Sequence, residues 1–250
     1  MSTNYLENLK ILRQKIPVGM AHALKIIEAT NGDIEQAENI LKQEYINNLV
    51  EKTRAPKELV EECLIKNSFD IETSLKEIES KVYSSTELIF KYYSKDKRRG
   101  ITLILDVIEK KIEANVKEEQ DIRVYGWFNF ELFKMLDSTQ FCFATVAQWL
   151  FFEYCEDFDS AIHYHTDIVT EHIEKKLDLP ELANNIKICR ERSSYFNKKY
   201  KNKKKGFLLA HDKIREDALY IKAKKNYFDQ EELLIETLYN FVKTHIGQFP

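Results

Sequence analysis

Asn31-Gly32-Asp33-Ile34-Glu35, in the first third of the chain, combines residues that end a helix with residues that begin one. Asn31 and Gly32 are residue types that tolerate the left-handed conformation found at helix C-termini. Asp33 is a typical N-cap residue for the helix that follows. The stretch therefore predicts a short loop between two helices.

A second copy of this pattern follows 37 residues later, where Asp70-Ile71-Glu72 aligns with Asp33-Ile34-Glu35. Apolar residues recur at helical spacing in both copies, so each copy predicts three short helices. A unit of under about 40 residues is not expected to be stable alone. The sequence therefore predicts two tandem three-helix units, over residues 1–45 and 46–82, with the last helix of the first running straight into the second.

The first copy resembles the ubiquitin-associated-like (UBA/TS-N) domain at the N-terminus of elongation factor Ts. The resemblance rests on Leu12-Arg13, on Gly19-Met20 and on residues 31–35, and it covers residues 6–44, with a weaker extension to residue 82. It implies a protein-binding unit and, by likeness to elongation factor Ts, elongation factor Tu as a candidate partner.

The loop between the first two helices is the predicted contact surface of this unit. A glycine before an apolar residue lets the backbone bend sharply while the next side chain stays exposed. Val18, Gly19 and Met20 are therefore the predicted partner-binding residues. Leu41, near the end of the third helix, joins them because the resemblance implies it. The alternative is that Met20 packs inward on its own helix.

Composition favours an all-α chain. Only 6 Gly and 4 Pro occur in 250 residues, which disfavours folds built from hairpins and glycine-rich phosphate loops. The four cysteines lie far apart and predict reduced thiols. The sequence has no apolar leader, and its longest charge-free run, residues 138–152, is too short to span a bilayer. We therefore expect a cytoplasmic protein without membrane contact.

Residues 83–250 predict a larger helical domain of unknown type. The charged stretch 95–100 is a candidate domain boundary, and continuous helices are predicted over residues 159–176, 207–224 and 230–245. Eight aromatic residues are expected to fill the core, with an aromatic-lined ligand pocket as the alternative. They are Trp127, Phe128, Phe130, Phe141, Phe143, Trp149, Phe151 and Phe152.

Charge is unevenly distributed in this region. Residues 187–225 contain 14 Lys and Arg against 4 Asp and Glu, whereas residues 130–171 are acidic. One interpretation is that the two stretches neutralise each other within the fold. The other is that lysines interleaved with aromatic residues bind a phosphate backbone, or else an acidic protein surface or a membrane. The candidate nucleic-acid-binding residues are Lys198, Lys199, Lys201, Lys203, Lys204 and Lys205.

A search for catalytic chemistry finds one polar constellation. His163, Asp167 and Glu171 would share a face of one helix and could hold a metal ion. A solvated polar stripe is the favoured interpretation, because no second metal-ligand motif is present in the sequence. No phosphate-binding loop or nucleophile motif occurs either. The sequence therefore predicts a protein that is not an enzyme and needs no cofactor.

Two functions follow from these observations. The first is a protein-interaction adaptor that binds a partner through the loop at residues 18–20. The alternative is an RNA- or ribosome-associated protein that uses the basic segment 187–225. Charge reversal at Lys203, Lys204 and Lys205 would separate the two, because only the second function needs these lysines.

Overall fold

The computed structural model describes residues 3–115 and 130–250, and within these ranges the regular structure is helical throughout. The predicted all-α class is confirmed. The chain divides into two compact units, Met1–Ser84 and Ser85–Pro250. Trp127 and Phe128, two of the predicted core aromatics, lie outside the described residues, as does the side chain of Phe130.

The first unit contains five helices in its described part: α1 (Thr3–Lys15), α2 (Met20–Ala29), α3 (Ile34–Thr53), α4 (Lys57–Lys66) and α5 (Ile71–Val82). Helix α3 is continuous across the junction of the two predicted copies, as the absence of a helix breaker there predicts. Its first half supplies the buried Leu41 and its second half the buried Leu49. One helix therefore serves the apolar core of both copies.

The turns after α2 and α4 repeat each other in backbone geometry. In the first turn, the Gly32 N–H donates to the Ile27 carbonyl (2.8 Å), and in the second the Phe69 N–H donates to the Leu64 carbonyl (2.7 Å). Gly32 and Phe69 both have positive φ angles, 88° and 60°. The 37-residue offset of the sequence is therefore also present in the hydrogen bonds.

The two predicted aspartate caps are confirmed. The Asp33 carboxylate accepts from the Gln36 N–H (3.0 Å), and the Asp70 carboxylate accepts from the Thr73 N–H (2.7 Å). Each satisfies a backbone donor that has no partner within its own helix. The short polar side chain thus fixes where each following helix begins.

The second unit is built from longer helices: α6 (Ser85–Tyr93), α7 (Lys97–Asn115), α8 (Phe130–Phe133), α9 (Ser138–Cys155), α10 (Phe158–Ala161), α11 (Thr166–Lys175), α12 (Pro180–Tyr200), α13 (Gly206–Arg215) and α14 (Ala218–Thr244), followed by a short 3₁₀ turn (Ile246–Gln248). Residues 97–100 begin α7 inside this unit, so the predicted domain boundary at residues 95–100 is wrong.

Helix α9 forms the centre of the second core. Trp149 is fully buried, donates its indole N–H to the Ala161 carbonyl (2.9 Å) and meets the Tyr227 ring edge-on at 5.9 Å. Phe143 is buried as well, whereas Phe151 remains 38% exposed. None of the described helices, α9 included, is both long and apolar enough to cross a membrane.

Two predicted helix boundaries in this unit are wrong. Residues 159–176 do not form one helix, because His165 takes a left-handed conformation (φ 47°) and separates α10 from α11. The predicted helix 207–224 ends early, because Asp217 caps a new helix by accepting from the Tyr220 N–H (2.8 Å). Helix α14 then runs without a break through the gap predicted before residue 230.

Candidate nucleic-acid interface

The first part of the basic segment 187–225 is neutralised within the fold. Lys187 on α12 forms an ion pair with Glu174 (2.5 Å), and Arg190 forms one with Asp167. Both acids belong to α11, which packs against α12. Neutralisation by the acidic stretch 130–171, one of the two interpretations of the charge pattern, is therefore confirmed for Arg190, whereas the partner of Lys187 lies just beyond that stretch.

Arg192 forms a bidentate ion pair with Asp217. Its guanidinium donates to both carboxylate oxygens of Asp217, at 3.1 Å from Nε and 2.6 Å from Nη2, and its centre lies 5.2 Å from the Tyr195 ring centre. These hydrogen bonds lower the pKa of the Asp217 carboxyl below its usual value. Because Asp217 also caps α14, the pair ties α12 to the start of that helix.

Two further lysines are paired on the following helices. Lys213 pairs with Glu216 (2.6 Å), and Lys224 pairs with Asp159 (2.5 Å). Asp159 also accepts from the Tyr220 hydroxyl (2.5 Å). Burial raises the pKa of Asp159, but the hydrogen bonds from Lys224 and Tyr220 outweigh it and hold that pKa below its usual value.

The six candidate lysines differ from these cations. All six are exposed, and none has an acidic partner within 4.0 Å among the residues that the structure describes. We call this set the lysine array; its members are Lys198, Lys199, Lys201, Lys203, Lys204 and Lys205. The array combines a high local positive charge with full access to solvent.

The last turn of α12 and the tight turn before α13 present the lysine array. The Lys203 N–H donates to the Tyr200 carbonyl (2.9 Å), and the Gly206 N–H donates to the Lys203 carbonyl (2.8 Å). A Cβ atom at Gly206 would lie 2.0 Å from the Tyr200 oxygen, which no side chain tolerates. Glycine is therefore required at this position for the chain to reverse within residues 201–205.

Aromatic rings alternate with the lysines at the end of α12. The Lys199 Nζ lies 5.5 Å from the Tyr195 ring centre, and the Lys203 Nζ lies 5.0 Å from the Tyr200 ring centre. Tyr195 is 48% exposed. The predicted interleaving of cations and rings is therefore present in three dimensions.

Sequence reasoning missed the apolar run that begins α13. Phe207, Leu208 and Leu209 are 76%, 55% and 40% exposed, although Ala210 next to them is buried. The signal was present, because four consecutive apolar residues make too wide a stripe for a single buried helix face. These side chains lie directly beyond the lysine array in sequence.

A cavity of about 710 Å³ adjoins the lysine array. Its lining includes Asn197, one residue before the array, and Phe207, two residues after it. Inside, the His163 Nε2 lies 2.9 Å from the Ser193 hydroxyl oxygen. Burial and the nearby Arg190 guanidinium lower the pKa of His163 below its usual value.

The candidate metal ligands do not share one helix face, as the sequence spacing suggested. His163 lies before the break at His165, whereas Asp167 and Glu171 belong to α11. Asp167 pairs with Arg190, and Glu171 with Lys175 (2.9 Å). Within residues 3–115 and 130–250, no three His, Cys, Asp or Glu side chains are arranged to hold a metal ion.

The loop of the first unit is partly as predicted. Met20 is 60% exposed, so it does not pack inward, and Gly19 is exposed as well. Val18 is half-buried against the core. Leu41 is fully buried, so the prediction that it contacts a partner is wrong: its position on α3 faces the core.

The family model described as "YfbN C-terminal domain" matches residues 78–247. A relative, "Uncharacterized protein YfbN" of Escherichia coli (strain K12), is 27% identical over 247 residues, covering 98% of this chain and 96% of the relative. No solved structure matches the chain.

The resemblance of residues 6–44 to the UBA/TS-N domain is wrong. The matching family is that of the YfbN C-terminal domain, and no UBA/TS-N family is found. The residues behind the resemblance, Gly19-Met20 and residues 31–35, serve the turns: a bend, a left-handed C-cap and an N-cap. These residue types are common wherever one helix ends and another begins, so they do not identify a family. Elongation factor Tu was expected as a partner only because of this resemblance, so that expectation no longer has support.

Proposed function

The chain belongs to the family of the YfbN C-terminal domain, whose description states no activity, and we propose from the geometry that it binds single-stranded RNA through the lysine array. One observation carries the proposal: six lysines within eight residues are exposed and lack acidic partners among the described residues, whereas five of the other eight cations of residues 187–225 are paired. Cations that the fold does not neutralise are available to phosphates.

The lysine array has the chemistry that single-stranded nucleic acid requires. Each lysine that neutralises a phosphate releases a counterion, so that binding weakens as salt rises, with a slope of about 0.7 per contact for single strands. Tyr195 and Tyr200 stand among the lysines, and stacking of one base on a ring contributes about 1–3 kcal/mol. The chain as a whole carries −3, so attraction to RNA must come from a local patch.

The test is the affinity for a fluorescent single-stranded 12-nucleotide RNA, measured by anisotropy at several salt concentrations. Changing Lys203, Lys204 and Lys205 together to Glu is expected to weaken binding about a hundredfold and to reduce the salt slope by about 2. The matched control changes Lys10, Lys25 and Lys52 to Glu, because these lysines are also exposed and the net charge falls equally. The control should bind within about twofold of the original chain.

Three results would overturn the proposal. One is equal loss of affinity in the control, which would reduce the effect to net charge. Another is an RNA affinity that does not change with salt concentration. The third is tight, array-dependent binding to vesicles containing phosphatidylserine without RNA binding, which would assign the array and the exposed Phe207, Leu208 and Leu209 to a membrane surface.

A second candidate function is protein binding through the loop of the first unit. The observation that favours it is an exposed Met20 next to a loop fixed by two hydrogen bonds, from the Tyr45 hydroxyl to the Pro17 carbonyl (2.7 Å) and from the Arg13 Nε to the Val18 carbonyl (3.1 Å). A preorganised loop loses little conformational entropy on binding, and methionine adapts to varied partners.

Affinity capture from nuclease-treated lysate tests this second function. A partner identified with the original chain should disappear with Met20→Asp and remain with Ile65→Asp, which alters another exposed apolar residue of the same unit. A partner that survives Met20→Asp, or that both variants lose, would argue against the loop.

A further inference from the structure

We infer that the cavity lined by Asn197, Ser193, His163 and Phe207 is a pocket for one unstacked nucleobase of the bound strand, and that it selects bases carrying an exocyclic amino group. This inference rests on the proposed RNA binding and names the specificity of the same site.

The position of the cavity fits a base whose phosphate is held by the lysine array. Asn197 precedes Lys198 and Phe207 follows Gly206, so lining residues bracket the array in sequence. A nucleotide bound there would place its charged backbone on the exposed lysines and its base toward the cavity. With about 710 Å³, the cavity falls within the range of small-molecule sites.

The lining provides both contacts that a nucleobase needs. Phe207 is 76% exposed, so its ring is available for stacking. The Asn197 amide donates to the Ser193 hydroxyl (3.4 Å), which in turn lies 2.9 Å from His163, giving a row of hydrogen-bonding groups for the edge of a base. Single-stranded RNA is recognised in this way, by stacking together with edge contacts.

The sign of the charge inside the cavity decides which part of a nucleotide can enter. Asp157 and Asp159 both belong to the lining. Asp159 is paired with Lys224, so repulsion of a phosphate, which keeps the backbone outside on the lysines, comes from Asp157. The Asp157 carboxylate can also accept a hydrogen bond from an amino group, because it is exposed and has lone pairs beyond the one that accepts from the Ser160 N–H (2.6 Å). Adenine and cytosine carry such an amino group, whereas uracil does not.

The experiment compares 12-nucleotide oligo(A) with oligo(U) on the full chain. Oligo(A) should bind about tenfold more tightly, and Phe207→Ala should lower its affinity about tenfold while leaving the salt slope unchanged. Leu208→Ala is the matched control, because Leu208 is exposed on the same helix but is not part of the lining. This control should bind like the original chain.

A phosphate-free probe separates the pocket from the array. Adenosine should shift the NMR signals of the His163 and His211 rings, which both line the cavity, and uridine should not. Salt-dependent RNA binding without any effect of Phe207→Ala or adenosine would overturn the pocket and leave the proposed function standing. Absence of RNA binding would overturn the proposed function. Asp157→Ala, which removes the acceptor, should lose the preference for oligo(A); a variant that keeps the preference would also overturn the selection.

Discussion

The middle of helix α12 and the region around its C-terminal end both carry positive charge, but in different surroundings. Near the middle of the helix, Arg190 and Arg192 pair with acids that α11 and the N-cap of α14 supply. At its C-terminal end and in the following turn, the lysine array has exposed side chains without such acids. The difference lies in the neighbouring elements, because Arg190 and Arg192 face acids from α11 and from the N-cap of α14, whereas the array lies in the last turn of α12 and the loop that follows it.

This difference separates cations that hold the fold together from cations that are available to a ligand. The paired cations are expected to contribute to stability and little to ligand binding. The array lysines are expected to contribute to ligand binding and little to stability.

Gly206→Ala should have the largest effect, because it destroys the turn that carries the array. The new Cβ would meet the Tyr200 carbonyl oxygen at 2.0 Å, so the backbone must move. We expect the free energy of unfolding, measured in urea, to fall by about 3 kcal/mol. Gly247→Ala is the control, since a Cβ there has no neighbour within 4 Å. A fully stable Gly206→Ala variant would show that the turn is not built as described.

Glu153 is a buried acidic residue, in contrast to the exposed lysines of the array. Burial, with the negative Glu231 nearby, raises the pKa of its carboxyl to about 7, and its exposed fraction is only 8%. A raised folded-state pKa gives stability that is fully present below the unfolded pKa and is lost as pH rises through about 7. Glu153→Gln should therefore be more stable than the original chain at pH 9, by up to about 3 kcal/mol.

The same variant should gain little at pH 4.5, where Glu153 is protonated in the folded chain. Urea unfolding at both pH values measures the difference. If Glu153→Gln changed the free energy of unfolding equally at both pH values, the effect would come from packing and not from the protonation of the carboxyl.

Asp217→Ala should have a smaller effect, because it removes one helix cap and one ion pair. We expect the free energy of unfolding to fall by about 2 kcal/mol at neutral pH. The folded-state pKa of Asp217 is lowered, so this contribution is present at neutral pH and is lost as pH falls through that lowered pKa. Asp70→Ala, which removes a cap without an arginine partner, should destabilise less; an equal loss would mean that the Arg192 pair adds nothing.

Lys213→Ala should have the smallest effect. Lys213 pairs with Glu216 on the surface, three residues away, and such exposed pairs add little to stability. The melting temperature should stay within the error of the measurement, and RNA affinity should change less than with Lys203→Ala. A larger loss of RNA affinity in Lys213→Ala would place the interface on α13 instead of the turn.

Local chemistry in the sequence predicted the fold better than it predicted the site. Asp33 and Asp70 cap the helices that they were expected to cap, because capping depends on residues within three positions. The break at His165 and the burial of Leu41 depend on packing between helices, which periodicity alone does not specify.

Packing between helices also determines which cations of the basic segment are paired. Counting charges located residues 187–225, but the count could not separate the paired Arg190 from the exposed Lys203, because the partner acid lies on another helix. The cavity beside the array gathers residues from α10, α12, α13 and α14, and no sequence spacing indicates it.

Helix α3 has a consequence for how the first unit comes apart. One uninterrupted rod, Ile34–Thr53, contributes Leu41 to one copy of the repeat and Leu49 to the other. Melting either copy removes half of the surface on which the second is assembled. Amide protons after both repeated turns, those of Gly32 and Phe69, should therefore exchange with solvent in a single cooperative opening, which makes the duplicated region one foldon.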